Sequence, residues 1–276
     1  MIKLFNLYIY IAFWEISQFI CILGTVIEVI ISKKNIMKKT IILTLSLIFS
    51  ATLFAQQGSY QDLLIFRADG DWDKLIKKSE QYTLSNKTKK DAEPYYYLAY
   101  GLYKISYEAD RDDKYKNAYK DAFNAVGKML RYDKSGDIQS KYSEFLGELK
   151  LSLLELIEND LDSEEYRRAF GWTMRLYKFG RDYTPAYFLE AALRHRNDDK
   201  STARIKWETG DKLLAEEDLS TWPESDKRIL MVGIYQTAQV LTENLQADKA
   251  KSYMNLIAPY MEDIEEWSDL YDDIVN

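Results

Sequence analysis

The sequence predicts an all-α protein, an α-solenoid of about five helix-turn-helix pairs that ends in a C-terminal capping helix. Composition supplies two of the reasons. The 276 residues include only four prolines and eleven glycines, and no stretch alternates polar and apolar residues as a half-exposed strand would. The third reason is periodicity, because apolar residues recur at helical spacing between turn residues, as at Leu98, Leu102 and Ile105.

Turn residues set the limits of the first helices. Asp69-Gly70-Asp71 separates two short helices, a charged loop over residues 108–113 separates two longer ones, and Gly136 precedes a long helix. The first six helices are predicted over residues 60–68, 72–84, 94–107, 115–132, 138–159 and 166–179.

Glycine and proline residues also mark the helix limits in the second half of the chain. Gly180 ends a helix, Pro185 opens the next, and a third helix begins with Pro223 in its first turn. The final segment has one apolar and one acidic face, as expected of a cap on a stacked array. These helices are predicted over residues 185–195, 201–215, 220–242, 247–259 and 260–274.

The helical pairs resemble the tetratricopeptide repeat family, whose unit has about 34 residues in two helices. The segment Gly70–Ile76 looks like the start of the family's second helix. The resemblance covers most of residues 59–260 in a degenerate form, and it implies a preformed concave surface that binds a protein or peptide. The residues that match the first-helix pattern are Tyr95, Leu98, Ala99 and Leu102. The corresponding core positions of later second helices are Ala118, Ala169, Ala203 and Ala250.

A row of tyrosines on the helix over residues 94–107 is the candidate binding site. At 100° per residue the row lies about 120° from the apolar face of this helix. Under the family resemblance it lines the concave groove, where tyrosines hold a peptide or helix through stacking and hydroxyl hydrogen bonds. The alternative is that the row packs against the neighbouring helical pair. The four candidates are Tyr96, Tyr100, Tyr103 and Tyr107.

The family's basic clamp for a carboxyl-terminal peptide is not apparent in this sequence. Glu93, Tyr96 and Tyr100 stand where the resemblance calls for lysine or asparagine. This argues against recognition of a chaperone tail.

The first 55 residues are interpreted as targeting segments. Residues 37–55 have the three parts of a secretory signal peptide, namely lysines after the methionine, an apolar run and a small residue, Ala55, before the cleavage point. Residues 1–36 are interpreted as an extension upstream of the true start, or alternatively as a membrane segment. The helical repeat domain over residues 56–276 is therefore expected in the periplasm without stable membrane insertion, with secretion or membrane tethering as alternatives.

Charge narrows the class of partner. The net charge is −7; residues 1–55 carry five lysines and two glutamates, which gives +3 and leaves −10 for the rest. An acidic body argues against nucleic acid, because phosphate binding needs clustered lysine and arginine. The single Cys21 excludes an intramolecular disulfide and a multi-cysteine zinc site. The single histidine, His195, is interpreted as a surface residue.

One acidic stretch has the outline of a calcium loop. Asp69, Asp71, Asp73 and Glu80 fall at ligand positions, but Lys74 occupies the position that requires glycine. The stretch is interpreted as a helix N-terminus capped by Asp71.

No metal, cofactor or catalytic residue is predicted, since glycine-rich phosphate loops and the GxSxG motif are absent. The sequence therefore predicts a non-catalytic binding or scaffold protein for a protein or peptide partner in the cell envelope. The alternative is a small-molecule or glycan binder that uses the same aromatic groove.

Overall fold

The computed structural model describes residues 60–276, which form one compact unit. The predictions for residues 1–36 and 37–55 lie outside these described residues. The all-α prediction is confirmed: the described chain folds into helices and contains no β-strand. The helices are α1 Gln61–Asp69, α2 Trp72–Leu84, α3 Ala92–Ile105, α4 Ala118–Tyr132, α5 Asp137–Lys141, α6 Ser143–Asp162, α7 Tyr166–Leu176, α8 Thr184–Arg196, α9 Lys200–Leu214, α10 Glu224–Glu243, α11 Ala247–Ile257 and α12 Trp267–Val275. Between residues 60 and 276, no helix is both long and apolar enough to cross a bilayer.

Successive helices pack as antiparallel pairs, α1 with α2, α3 with α4, α6 with α7, α8 with α9, and α10 with α11. Helix α3 also packs on α2, α8 on α7 and α10 on α8. Aromatic side chains join α3 to α6 and α4 to α7. The small residues expected at core positions of the second helices are all buried. They are Ala118, Ala169, Ala203 and Ala250.

Helix α8 is the centre of the unit. Ten consecutive residues, from Thr184 to Leu193, are buried, because α7, α9 and α10 surround this helix. Helix α6 also contacts α10 directly. An array in which every pair touches only its immediate neighbours has no such contact, so the chain departs here from an open solenoid.

Glycine permits a close contact between α8 and α10. A Cβ atom at Gly233 of α10 would lie 2.9 Å from the backbone nitrogen of Leu189 and 3.2 Å from Cβ of Phe188, both on α8. A side chain at position 233 would therefore push two backbones apart.

Several predicted helices differ from the structure by a few residues at their ends, and two differ more. The long helix expected over residues 138–159 is interrupted at Tyr142, which leaves the helical conformation at φ −117° and ψ 25°. The ring of Tyr142 stacks on Tyr96 with centroids 3.4 Å apart, and its hydroxyl donates to Glu93. The end helix expected over residues 260–274 begins only at Trp267. Pro259 lies just upstream in a short 3₁₀ turn, where its missing N–H ends the preceding α-helical ladder.

The acidic stretch at the start of α2 is held by cations of the chain itself. Asp71 caps α2 by accepting from the backbone N–H of Lys74 at 3.2 Å. Asp73 receives Nζ of Lys114 at 2.8 Å, Nζ of Lys77 at 2.6 Å and the hydroxyl of Tyr115 at 2.8 Å. These hydrogen bonds, that of Lys114 foremost, hold the pKa of Asp73 well below its usual range. They tie α2 to the segment that precedes α4.

Asp73→Asn is expected to make stability less sensitive to acid. Because the pKa of Asp73 is lower in the folded than in the unfolded chain, its contribution is present above the ordinary value of 3.8 and is lost as the pH falls towards the folded value. The variant should be less stable than the wild type at neutral pH, by up to about 1 kcal/mol for such an exposed pair. Urea unfolding at a series of pH values measures the difference, which should shrink below about pH 4. A difference of constant size would contradict this assignment.

Candidate functional site

The four candidate tyrosines of α3 do not share one exposed face. Tyr96 and Tyr103 are buried, Tyr100 is half-buried, and Tyr107, just past the end of the helix, is 63% exposed. The row therefore divides into an inner part that packs against neighbouring helices and an outer end at the surface.

Tyr96 packs inside an aromatic cluster between α3 and α6. Its ring stacks on Tyr142 and meets the edge of Phe145 at 5.5 Å. The guanidinium of Arg67 lies 4.5 Å from the ring centroid of Tyr100 and 5.5 Å from that of Tyr96. Burial raises the pKa of the Tyr96 hydroxyl. These contacts join two helical pairs.

The outer aromatic residues lead from α3 to the second helices. Tyr103 and Tyr107 pack against Tyr119 of α4, at 6.3 and 6.4 Å between centroids. Tyr119 in turn meets Trp172 of α7 edge-on at 5.9 Å. The aromatic contacts thus reach a surface that the tyrosine row alone does not indicate.

This surface is the groove between α4 and α7, which we name the α4–α7 groove. The two helices lie side by side: a Cβ atom at Gly127 of α4 would be 3.5 Å from the carbonyl oxygen of Lys178, just after α7. The groove contains two cavities. One is lined by Lys120, Arg168, Gly171, Trp172 and Arg175. The other is lined by Asn124, Gly127, Lys128, Leu130, Arg131, Gln139, Tyr177, Lys178, Phe179, Gly180 and Arg181.

The smaller cavity, of about 280 Å³, has an aromatic floor with cations above it. Nζ of Lys120 and the guanidinium carbon of Arg175 lie 5.5 and 5.6 Å from the ring of Trp172. The Nε atom of Arg175 is buried and has no hydrogen-bond partner within the described chain. Arg168, at the rim, pairs with Asp160 at 3.1 Å.

The larger cavity, of about 920 Å³, is lined by four cations and by no acidic side chain. Among residues 60–276, no carboxylate oxygen lies within 4.0 Å of any of these cations. They therefore remain available for an anionic group from outside the described chain. The four are Lys128, Arg131, Lys178 and Arg181.

A run of basic residues in the sequence explains this charge. Residues 166–181 contain five lysines and arginines and no acidic residue, although the described chain carries −10 in total. This basic run is visible in the sequence and could have indicated a cationic surface. Its position beside α4 depends on the tertiary structure.

A buried glutamate holds one of the residues that line the larger cavity. Tyr177 lines the cavity and donates its hydroxyl to Glu190 of α8, which is 0% exposed. Glu190 also receives Nε of Arg194 at 2.7 Å and Nζ of Lys206 at 3.0 Å. Burial, followed by the bond to Glu190, raises the pKa of Tyr177. The network fixes α7, α8 and α9 to one another.

His195 is half-buried at the end of α8, where its ring lies 5.9 Å from that of Trp207. Burial lowers its pKa, and the nearby charges of Lys200 and Arg196 lower it further. Among residues 60–276, no group of three histidine, cysteine, aspartate or glutamate side chains is arranged to hold a metal ion.

The α4–α7 groove is thus suited to binding an anionic group. Comparison with known proteins gives no relative: no family model, no curated protein and no solved structure matches this chain.

Proposed function

We propose that this chain is an exported, non-catalytic binding protein that holds a protein or peptide partner on its helical surface. The observation that supports the proposal best is the α4–α7 groove, which has an aromatic floor and four cations with no carboxylate of the described chain within 4.0 Å. Such a surface offers charge-assisted hydrogen bonds and apolar contact together, which are the usual ingredients of peptide recognition. The tyrosine row contributes by packing α3 against α4 and α6.

Photo-cross-linking tests whether the groove holds a protein. Gly171 lines the smaller cavity, and a Cβ atom there would meet nothing within 4 Å. Position 171 therefore has open space where a side chain begins, and p-benzoylphenylalanine is introduced there. The matched control carries the same group at Leu84, which is 80% exposed at the end of α2 and lines neither cavity.

Irradiation of cells that produce the position-171 variant is expected to join the chain to another protein, and the position-84 variant should not give that product. Identical products from both variants would count against a specific surface. If no protein is captured while a small molecule or glycan shifts the tryptophan fluorescence, the alternative of a small-ligand binder replaces this proposal.

Export is the second part of the proposal. We propose that residues 37–55 act as a signal peptide and that the mature chain begins at Gln56. The intact mass and the amino-terminal residue of the protein made from its own gene test this, together with its cell fraction. A mature chain that starts at Gln56 in a soluble envelope fraction is expected. A chain that keeps Met1 in the membrane fraction would instead assign the protein to a tethered module of an envelope complex.

A further inference from the structure

We infer that the segment held in the α4–α7 groove is an acidic, extended stretch of polypeptide about five residues long. This inference rests on the proposed function and adds the chemistry and the length of the partner segment. The groove lies on the second helices of two successive pairs. It is therefore distinct from the first-helix face that carries the tyrosine row.

The distribution of charge favours an acidic partner segment. Residues 118–132 and 166–181 carry +2 and +5, which leaves −17 for the rest of the described chain. An acidic segment is drawn to the groove and repelled by the remaining surface, so charge selects both the partner and its position. Arginine is well suited to such a partner, because its guanidinium forms paired hydrogen bonds with carboxylates. Arg131 and Arg181 lie on opposite walls of the larger cavity, one on α4 and one after α7.

The length of the groove limits the length of the bound segment. Along α4 the groove runs from Lys120 to Arg131, which is about 16 Å at the rise of an α-helix. An extended chain advances about 3.3 Å per residue, so about five residues fill this distance.

The uncharged part of the groove lining favours a peptide over a lone anion. Leu130 and Phe179 offer apolar contact in the larger cavity, and Trp172 does so in the smaller one. The amide side chains of Asn124 and Gln139 offer both donors and acceptors, as a peptide backbone requires. A lone phosphate would use only the cations. An extended peptide with carboxylates and at least one apolar side chain uses the whole lining.

The shape and surroundings of the groove favour a peptide over other polyanions. Nucleic acid spans a wide surface with phosphates at every step, and the net charge of −17 on the rest of the described chain opposes its binding. A flat membrane surface does not enter a groove between two helices. A short acidic segment reaches the cations while its ends turn away from the surrounding acids.

A labelled peptide tests the inference directly on the purified protein. The probe is a fluorescein-labelled peptide of about ten residues, twice the length of the groove, with alternating glutamates and leucines. The control peptide has glutamine in place of every glutamate. Fluorescence anisotropy measures both affinities, first at low salt and then near 1 M salt, where charges are screened beyond about 3 Å.

Matched charge reversals locate the binding. The groove variant is Arg131→Glu with Arg181→Glu. The control variant is Lys87→Glu with Lys90→Glu, which changes the net charge equally in the exposed loop before α3. All four side chains are exposed, so circular dichroism should show the same helical content in both variants. The groove variant is expected to bind the acidic peptide roughly tenfold to a hundredfold more weakly, and the control variant about as well as wild type.

Equal affinity for the glutamate and glutamine peptides would overturn the inference, as would equal losses in the two variants. Failure of the acidic peptide to bind, or its displacement by a single-stranded oligonucleotide at lower concentration, would do the same. The proposed function fails separately, when position 171 cross-links to no protein. A cross-link from position 171 to a segment without acids keeps the proposed function and rejects the acidic partner.

Discussion

Glu190→Ala is expected to lower the free energy of unfolding by about 3 kcal/mol. The carboxylate is fully buried and accepts from Arg194, Lys206 and Tyr177. Its removal leaves Lys206 and the Tyr177 hydroxyl without this acceptor, while Arg194 keeps its ion pair with Asp199. The loss stays at the lower end of the range for broken buried pairs, because the Arg194 and Lys206 side chains are 23% and 26% exposed and can reach water.

Thermal unfolding measures this effect, and a chain of this size should melt about 6 to 12 °C lower for such a loss. Glu208→Ala is the control, since Glu208 lies at the surface and approaches Arg204 only at 3.8 Å. It should change stability by less than about 1 kcal/mol. Similar melting temperatures for the two variants would show that the network around Glu190 contributes little to stability.

The substitution Gly233→Ala is also expected to have a large effect. It should lower the free energy of unfolding by about 2 kcal/mol. The new methyl group would approach the backbone nitrogen of Leu189 to 2.9 Å. Neither backbone can yield cheaply, because α8 is enclosed along its length. The clash outweighs the gain of up to about 1 kcal/mol that alanine has over glycine within a helix.

Gly171→Ala is the matched control, because the same change is made on α7 where a Cβ atom meets nothing within 4 Å. It should raise stability by about 0.5 to 1 kcal/mol through helix propensity alone. Urea unfolding of both variants compares the two positions. Changes of the same sign at positions 171 and 233 would refute the close contact between α8 and α10.

The sequence was sufficient for the features that depend on neighbouring residues. The bounds of α2 follow from the break at Gly70 and the cap at Asp71, and the structure has them where they were predicted. The buried alanines, such as Ala169 and Ala203, follow from helical periodicity. Caps and periodicity act within a few residues, so they are visible before the fold is known.

Features that depend on distant residues were not predictable in this way. The break at Tyr142 follows from its stacking on Tyr96, a residue of another helical pair. The division of the tyrosine row into buried and exposed parts depends on α4 and α6, which cover Tyr103 and Tyr96. The basic run over residues 166–181 is plain in the sequence, but only the packing of α7 beside α4 turns it into a groove.

The contact between α6 and α10 has a consequence for how the chain unfolds. In an array where each repeat touches only the next, the ends fray first and the middle persists. Here α6 also contacts α10, which packs on α8, so α6 is held by a helical pair beyond its immediate neighbour. The chain from α6 to α11 should therefore lose its structure in a single cooperative transition, and the amide hydrogens of α8 should be the slowest to exchange with solvent.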